Sequence, residues 1–207
     1  MTQHHVTGKP RLRVGIYGGS FNPVHLGHVR AVELFVERLQ LDCALVIPSS
    51  FPFYKNTRPT PFMHRYAMCL LAFQKTLKVI VSDLERNHPR GMHTCDVIRE
   101  IRSHYDTAAL YLLVGVDVFR KMPGWEDVNS ILRETEIVVL RRETEEEVPP
   151  FPFPGARVTV LDDPALPLSA SEIRSDIEAG CSVQGKVPEE VAEYMETFRL
   201  YGIRGRE

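Results

Sequence analysis

The sequence predicts a doubly wound α/β fold, a mostly parallel sheet with helices on both faces. Six short apolar runs alternate with segments of helical period, which is the pattern of β-α units. The 207 residues suit one domain, which we place at residues 11–207, after a disordered tail at 1–10. In such Rossmann-like folds, ligands bind beyond the carboxyl ends of the strands, near the point where strand order reverses.

The individual elements follow from hydrophobic period and from turn residues. The predicted strands are residues 12–17, 43–48, 77–82, 109–115, 136–140 and 157–161. The predicted helices are residues 26–39, 61–75, 93–104, 126–133, 170–179 and 188–198. In the first helix, Ala31, Phe35 and Leu39 share an apolar face, while Glu33 and Glu37 can stay in solvent.

Two proline-rich segments interrupt this alternation. Residues 49–62 contain three prolines directly after a strand and are predicted to form a loop over the ligand-binding edge. Residues 141–156 combine an acidic run with four prolines and are predicted to be a solvated excursion.

Composition narrows the function classes. The formal net charge of −2 gives no sequence-wide basis for a nucleic-acid surface, so any phosphate chemistry must be local. No apolar run approaches the roughly 18 residues of a membrane-spanning helix, and the first residues lack the apolar core of a signal peptide. The four cysteines are widely spaced, as expected of buried, reduced thiols. We therefore expect a cytoplasmic protein with no nucleic-acid or membrane partner.

The stretch YGGSFNPVHLGH, residues 17–28, joins the first predicted strand to the first helix. Gly18 and Gly19 allow backbone N–H groups to approach a ligand closely, and the helix start adds unsatisfied amides and the positive end of a dipole. His25 and His28, three residues apart, fall on one side of that terminus. The pattern favours an anion site over a metal pair, because no carboxylate or cysteine partner lies nearby at ligand spacing.

The stretch PLSASEIRSDIEAG, residues 167–180, predicts a helix with one unusual residue. Ser169 and Glu172 have capping-box spacing, and Gly180 can end the helix. Arg174 lies close to the helix N-terminus, where a cation opposes the macrodipole unless an anion lies between them. The residues leave two interpretations open: a solvated arginine beside an ordinary cap, or a phosphate clamp of amides, hydroxyls and guanidinium.

The first stretch resembles the H-x-G-H signature of the nucleotidyltransferase superfamily, and the second resembles the I-S-S-T-x-I-R block of the nicotinate-nucleotide adenylyltransferases. Similar segments follow that family in order: HRYAMC at 64–69, GVDVFRKMPGW at 115–125 and KVPEEVAEYM at 186–195. The resemblance covers nearly the whole chain. It implies an enzyme that joins ATP and nicotinate mononucleotide to give deamido-NAD and pyrophosphate, with Mg²⁺ bound through the ATP phosphates.

The resemblance also implies residue roles. Catalysis is assigned to His25, His28 and Arg174, with both imidazoles contacting the ATP phosphates. ATP and its phosphates would further contact Gly18, Gly19, Ser20, Phe21, Gly115, Asp117, Ser169 and Ser171, with no dedicated metal ligand. The mononucleotide would contact Lys55, Thr94 and Trp125, of which the tryptophan stacks on the pyridine ring. His64 and Arg65 are expected to add positive charge, whereas Arg58 is expected on solvated surface.

Two positions depart from the family pattern. Tyr54 stands where the family usually has a histidine before the loop lysine, and His93 replaces a tyrosine in the block that helps to read the pyridine carboxylate. These departures make nicotinamide mononucleotide an alternative acceptor. Phosphopantetheine is a further alternative, because the phosphopantetheine adenylyltransferases share the first motif, although they are shorter and end differently. An alternative of a different class is a non-catalytic nucleotide sensor. The presence of His25, His28 and Arg174 argues against it, because a protein that only binds a nucleotide would tolerate the loss of transition-state contacts.

Overall fold

The computed structural model describes residues 11–51, 60–142, 147–163 and 168–203. The predicted tail at 1–10 lies outside these ranges, as does the centre of the proline-rich loop with Tyr54, Lys55 and Arg58.

The described residues form one sheet of six parallel strands. The strands are β1 (Arg13–Gly19), β2 (Cys43–Pro48), β3 (Val79–Val81), β4 (Ala109–Gly115), β5 (Thr135–Arg142) and β6 (Val158–Asp163). Their order across the sheet is β3-β2-β1-β4-β5-β6, and every neighbouring pair is parallel. All six apolar runs thus form strands, and the predicted doubly wound α/β class is confirmed.

Helices fill the connections at the places that the sequence predicts. They are α1 (Leu26–Arg38), α2 (Phe62–Phe73), α3 (Thr94–His104), α4 (Val116–Phe119), α5 (Val128–Glu134), α6 (Ala170–Glu178) and α7 (Glu189–Thr197). Two short 3-10 helices cover Met122–Gly124 and Leu200–Gly202. The four-residue α4 and both 3-10 turns were not predicted, because elements this short carry too little hydrophobic period to be recognised.

The strands bury side chains on both faces of the sheet. In β4, Leu110, Leu112 and Val114 belong to one apolar cluster with α3, α4 and α5. The intervening Tyr111 and Leu113 belong to the opposite cluster with α1, α2, α6 and α7. This alternation follows from the two-residue period of a strand, and burial on both faces explains why the strands read as continuous apolar runs.

The order of the strands reverses between β1 and β4. From β1 the chain proceeds to β2 and β3 on one side, and β4 begins the second half on the other side. The carboxyl ends of these two strands, Gly19 and Gly115, therefore flank the crevice in which doubly wound sheets bind ligands.

Several boundaries differ from the sequence predictions. β5 continues to Arg142, so the segment predicted as an excursion from residue 141 begins as strand. The rest of it is not fully solvated, because Phe151 stacks on Phe119 with ring centroids 4.6 Å apart. Apolar side chains between the prolines thus anchor the segment to the core.

The cysteines are free thiols, but they are not uniformly buried. Cys69 and Cys95 are buried, Cys43 is half-buried and Cys181 is exposed. The prediction of buried thiols is therefore wrong for Cys181, which directly follows the turn that ends α6. Among the described residues, none of the helices combines the length and apolar character needed to cross a bilayer.

Candidate active site

The turn after β1 brings the backbone close to the start of α1. A Cβ atom on Gly19 would lie 3.1 Å from the ring of Phe21, a buried side chain whose backbone has a positive φ of 42°. Glycine at position 19 therefore lets the chain fold tightly over that ring. The turn ends at His25, the N-cap of α1.

The rings of the two histidines lie against each other at the helix terminus, with their planes tilted by 32°. His25 is 3% exposed, His28 is half-buried, and their ring centroids are 3.6 Å apart. The backbone N–H of His25 donates to Nδ1 of His28 at 3.2 Å. Because Nδ1 accepts this bond, the neutral His28 ring carries its proton on Nε2, where it can donate to a ligand. The predicted placement of both rings on one side of the terminus is confirmed.

Gly27 allows this close contact between the two rings. A Cβ atom at position 27 would lie 3.0 Å from Nδ1 and 3.1 Å from Cε1 of His25, and 3.6 Å from Cβ of Leu168. Glycine thus leaves space for the His25 ring and for the chain segment that leads into α6. The first and second sequence motifs therefore meet at the N-terminus of α1.

A cavity of 460 Å³ opens at the carboxyl ends of β1 and β4. It brings together many of the residues that the sequence assigns to nucleotide binding: Gly18, Gly19, Ser20, His28, Thr94, Gly115, Asp117 and Trp125. Phe21 and His25 are buried beside it and do not line it. The cavity thus collects residues from five separate segments at the strand-order reversal.

The start of α3 and Trp125 form another part of the cavity wall. His93 is the N-cap of α3 and Thr94 its first residue, so the positive end of this helix dipole faces the cavity. Trp125 follows the first 3-10 helix and is half-buried. It packs against the apolar cluster that includes the buried residues of α3. The cavity therefore combines an indole face with a helix terminus that favours anions.

The second motif forms α6 with Ser169 as its N-cap, as predicted. The predicted capping hydrogen bond is absent, because the Ser169 hydroxyl bonds instead to the Ser171 hydroxyl at 2.7 Å. The end of α6 is as predicted: Gly180 has φ +76°, and the N–H of Cys181 donates to the carbonyl of Asp176, as in a Schellman turn. The first turn of α6 therefore lacks a side-chain cap from Ser169.

Arg174 is tied to the first motif. Its Nη1 donates to the carbonyl oxygens of Asn22 at 2.7 Å and Ala170 at 3.0 Å. Both bonds to described residues use Nη1, which leaves Nε and Nη2 for other acceptors. The interpretation as an ordinary solvated arginine is therefore wrong, because the side chain is half-buried and held by backbone 152 residues away. Ser169, Ser171 and Arg174 do not line the 460 Å³ cavity.

Arg65 has a different position from the one predicted. Its side chain is fully buried and donates to three backbone carbonyls, those of Ser20 at 2.7 Å, Thr60 at 2.8 Å and Ser50 at 3.2 Å. Burial lowers the pKa of its guanidinium. Arg65 is therefore an internal tie between loops, and it does not supply a charge to the lining of the cavity.

His64 also lies away from the cavity. Its Nδ1 is 3.0 Å from the hydroxyl of Tyr194 on α7, and it does not line the 460 Å³ cavity. The expectation that His64 adds charge to the site is wrong. Lys55, assigned to the mononucleotide, lies outside the described residues.

Sequence reasoning missed Glu85, a buried carboxylate in the cavity wall. Glu85 is 6% exposed and accepts the backbone N–H of Ser50 at 2.9 Å. Backbone hydrogen bonding from Met92 connects the same carboxylate to the segment before α3. Burial is the largest effect on its pKa, which is raised, while these hydrogen bonds and the nearby Arg65 act to lower it.

A second cavity of 1250 Å³ lies between α6, α7 and the segment that connects them. Its lining includes the carboxylates of Glu178, Glu189 and Glu193 and neither of the two motif histidines. None of the described residues that the sequence assigns to ATP or the mononucleotide lines this cavity, whereas the smaller cavity brings together eight of them. The smaller cavity is therefore the candidate active site.

The chain is similar to known proteins over most of its length. The cytidylyltransferase-like family model matches residues 16–176. A "Probable nicotinate-nucleotide adenylyltransferase" of Clavibacter michiganensis subsp. michiganensis is 32% identical over 192 residues, covering 93% of this chain and 95% of the relative. A protein of the same name from Gemmatimonas aurantiaca is 33% identical over 195 residues and is covered, like this chain, over 92% of its length.

The fold is also that of a solved enzyme. The structure of Plasmodium falciparum nicotinic acid mononucleotide adenylyltransferase complexed with NaAD matches with a TM-score of 0.78, over 94% of this chain and 99% of that one. The sequence identity is 18%, so this likeness supports the fold. The family model and the full-length relatives together show that the chain belongs to the cytidylyltransferase-like family and, within it, to the nicotinate-nucleotide adenylyltransferases.

Proposed function

We propose that the protein transfers the adenylyl group of ATP to nicotinate mononucleotide, forming deamido-NAD and pyrophosphate in NAD biosynthesis. The observation that carries this proposal is the shared cavity of His28, the start of α3 and Trp125. Full-length relatives with this enzyme name support the substrates. A cytoplasmic location remains a prediction from the sequence.

The reaction needs positioning and charge stabilisation more than a protein nucleophile. A 5′-phosphate oxygen of the mononucleotide forms a bond to the α-phosphorus of ATP. The bond from that phosphorus to the bridging oxygen breaks, and its electrons leave with pyrophosphate. The Nε2–H of His28 would donate to the phosphoryl oxygens as charge develops on them. His25 would act beside it, buried against its ring.

The leaving phosphates are assigned to the start of α6. Its first turn lacks a cap from the Ser169 side chain, and Ser171 adds a second hydroxyl there. Among the described residues, the backbone carbonyls that hold Arg174 use only Nη1, so Nε and Nη2 are assigned to the phosphates. Amides, hydroxyls and a guanidinium form a suitable clamp for the β- and γ-phosphates.

Mg²⁺ is expected to reach the site with ATP. No group of three or more His, Cys, Asp or Glu residues within the described ranges could hold a metal by itself. Mg²⁺ bound with ATP would take its oxygen ligands largely from phosphates and water. When bound, the ion would neutralise phosphate charge. Asp117, an exposed carboxylate of the cavity lining, is assigned to the ribose of ATP.

Recognition of the acceptor is assigned to the part of the cavity wall that the start of α3 and Trp125 form. The pyridine ring would rest on Trp125, and its carboxylate would meet the first-turn amides of α3 near Thr94. A carboxamide would lose a charge-assisted hydrogen bond worth about 1.5–3 kcal/mol. We therefore expect a preference of about 10- to 100-fold in kcat/KM for nicotinate over nicotinamide mononucleotide.

The proposal is tested by pyrophosphate release and product identification. The purified protein is assayed with ATP and Mg²⁺ and one of three acceptors: nicotinate mononucleotide, nicotinamide mononucleotide or phosphopantetheine. The expected result is deamido-NAD as the preferred product, with kcat at least about 100-fold lower in His28→Ala. A higher kcat/KM for either other acceptor would contradict the substrate assignment. ATP binding without turnover of any acceptor would instead indicate a nucleotide sensor.

A further inference from the structure

The carboxyl-terminal 3-10 helix makes a hydrogen bond to the turn after β1. The phenol hydroxyl of Tyr201 donates to Oδ1 of Asn22 at 2.8 Å, across 179 residues of sequence. The backbone N–H of Thr60 also donates to Oδ1 of Asn22, at 3.3 Å. Two converging donors identify this atom as the amide oxygen and fix the orientation of the side chain.

Asn22 is the residue whose backbone holds Arg174. Its carbonyl oxygen accepts Nη1 of Arg174 at 2.7 Å, while its side chain, 6% exposed, accepts the Tyr201 hydroxyl. The side-chain and backbone bonds of one buried residue are thus shared between the C-terminal turn and the proposed phosphate clamp. Because both bonds are made to the same residue, the Tyr201 hydroxyl helps to hold Asn22, and with it the carbonyl that accepts the guanidinium, in place.

The backbone of Tyr201 has an unusual conformation. Tyr201 has φ 58° and ψ 16°, which is the left-handed region that few residues other than glycine adopt readily. This conformation places a half-buried phenol within reach of Asn22 and close to Arg65 and Arg174. Burial raises the pKa of Tyr201 to about 12, so the hydroxyl keeps its proton and remains a donor at physiological pH.

We propose that Tyr201 is a positioning residue for the leaving phosphates: through Asn22 it fixes the carbonyl that orients the Arg174 guanidinium. The inference rests on the proposed function in assigning Arg174 to the triphosphate. It adds a specific role for the C-terminal turn, which does not line the cavity that holds His28.

The test compares two tyrosine-to-phenylalanine variants that each remove one hydroxyl. Tyr201→Phe removes the bond to Asn22 together with the hydrogen bond to the Thr60 side chain. The control Tyr194→Phe removes the bond to His64, which does not line the cavity. We expect Tyr201→Phe to lower kcat/KM for ATP about three- to tenfold, with the KM for the mononucleotide unchanged. Tyr194→Phe should match the wild-type protein. Equal effects of the two variants, or equal losses for both substrates, would overturn the proposal.

A double-mutant cycle tests whether Tyr201 acts through Arg174. Arg174→Ala should weaken binding of a non-hydrolysable ATP analogue in calorimetry, and adding Tyr201→Phe should then have little further effect. Fully additive losses, or no loss in Arg174→Ala, would overturn the positioning role. Binding of the analogue needs no acceptor, so this result is separable from a failure of the acceptor assignment. Thermal unfolding of each variant identifies a loss that comes from folding alone.

Discussion

At the scale of single residues, the site depends on the absence of a side chain at position 27. In a helix, alanine is more favourable than glycine by about 1 kcal/mol, so stability alone would favour alanine. A Cβ atom only 3.0 Å from Nδ1 of His25 explains why glycine suits this turn of α1. Local helix preference is here subordinate to the placement of the His25 ring.

Gly27→Ala is expected to lower kcat/KM about 10- to 100-fold, because a displaced His25 ring would shift the His28 ring that lies against it. Thermal stability should change little, since the gain in helix propensity offsets the closer contact. The control is Gly124→Ala, whose new Cβ atom would meet nothing within 4 Å. Steady-state kinetics give kcat/KM, and melting curves give the thermal stability, of both variants and of the wild-type protein. Wild-type kinetics in Gly27→Ala would show that the His25 position is not critical.

Residues whose signal is local could be predicted from the sequence. His25 and His28 lie on one turn, and their spacing is enough to predict that they share a face. Arg65, Glu85 and Tyr201 were missed or misassigned, because their partners are distant in sequence. The bond from Tyr201 to Asn22 spans 179 residues, and no helical or strand period encodes such a pair.

At the scale of elements, the strands and longer helices could be predicted because each buries a long enough apolar pattern to be recognised. The functional properties come instead from the loops at the carboxyl ends of the strands. Arg65 on α2 ties two of them together, because it donates to the carbonyl of Ser20 in the loop after β1 and to those of Ser50 and Thr60 in the loop between β2 and α2. The guanidinium suits this task because its donors point in fixed directions within one plane.

Arg65→Lys should therefore destabilise the fold and the site together. An ammonium keeps the charge but cannot reproduce the three directed bonds, so we expect the free energy of unfolding to fall by about 1.5–3 kcal/mol. The KM values for ATP and for the mononucleotide should both rise, since the tied loops include Ser20 in the cavity wall. Urea unfolding and steady-state kinetics measure the two effects.

The matched control for that experiment is Arg86→Lys. Arg86 is exposed and forms a 3.7 Å ion pair with Asp83, a kind of contact that contributes little to stability. The urea midpoint of unfolding of Arg86→Lys should stay close to that of the wild-type protein. If Arg65→Lys were as mild as this control, the buried bonds of Arg65 would not be what holds the loops.

At the scale of the whole molecule, buried polarity is concentrated where the chemistry is proposed. The interior on both faces of the sheet is apolar, and the buried polar residues among those described are Asn22, His25, Arg65, Glu85 and Thr135. Four of these five surround the turn after β1 and the cavity, and Thr135 lies apart at the start of β5. Because buried polar groups are costly unless satisfied, stability and catalysis share one network of hydrogen bonds.

Glu85, a buried member of this group, should make the free energy of unfolding depend on pH. Its pKa in the folded protein is raised by burial above the ordinary value of 4.5. The folded state therefore binds more protons than the unfolded state between the two pKa values, and stability from this group falls as pH rises through that window. Glu85→Gln can still accept the N–H of Ser50 but cannot ionise.

The stability of Glu85→Gln relative to wild-type should consequently improve as pH rises from about 4 to about 7.5, a range that begins near the ordinary carboxyl pKa and extends roughly three units above it. Urea unfolding of both proteins at several pH values gives this difference directly, and it cancels the titration of every group that the two proteins share. A difference that falls with rising pH would mean that Arg65 stabilises the ionised carboxylate by more than burial disfavours it. A difference that does not vary would mean that Glu85 titrates alike in the folded and unfolded chains, and would reject the raised pKa on which the prediction rests.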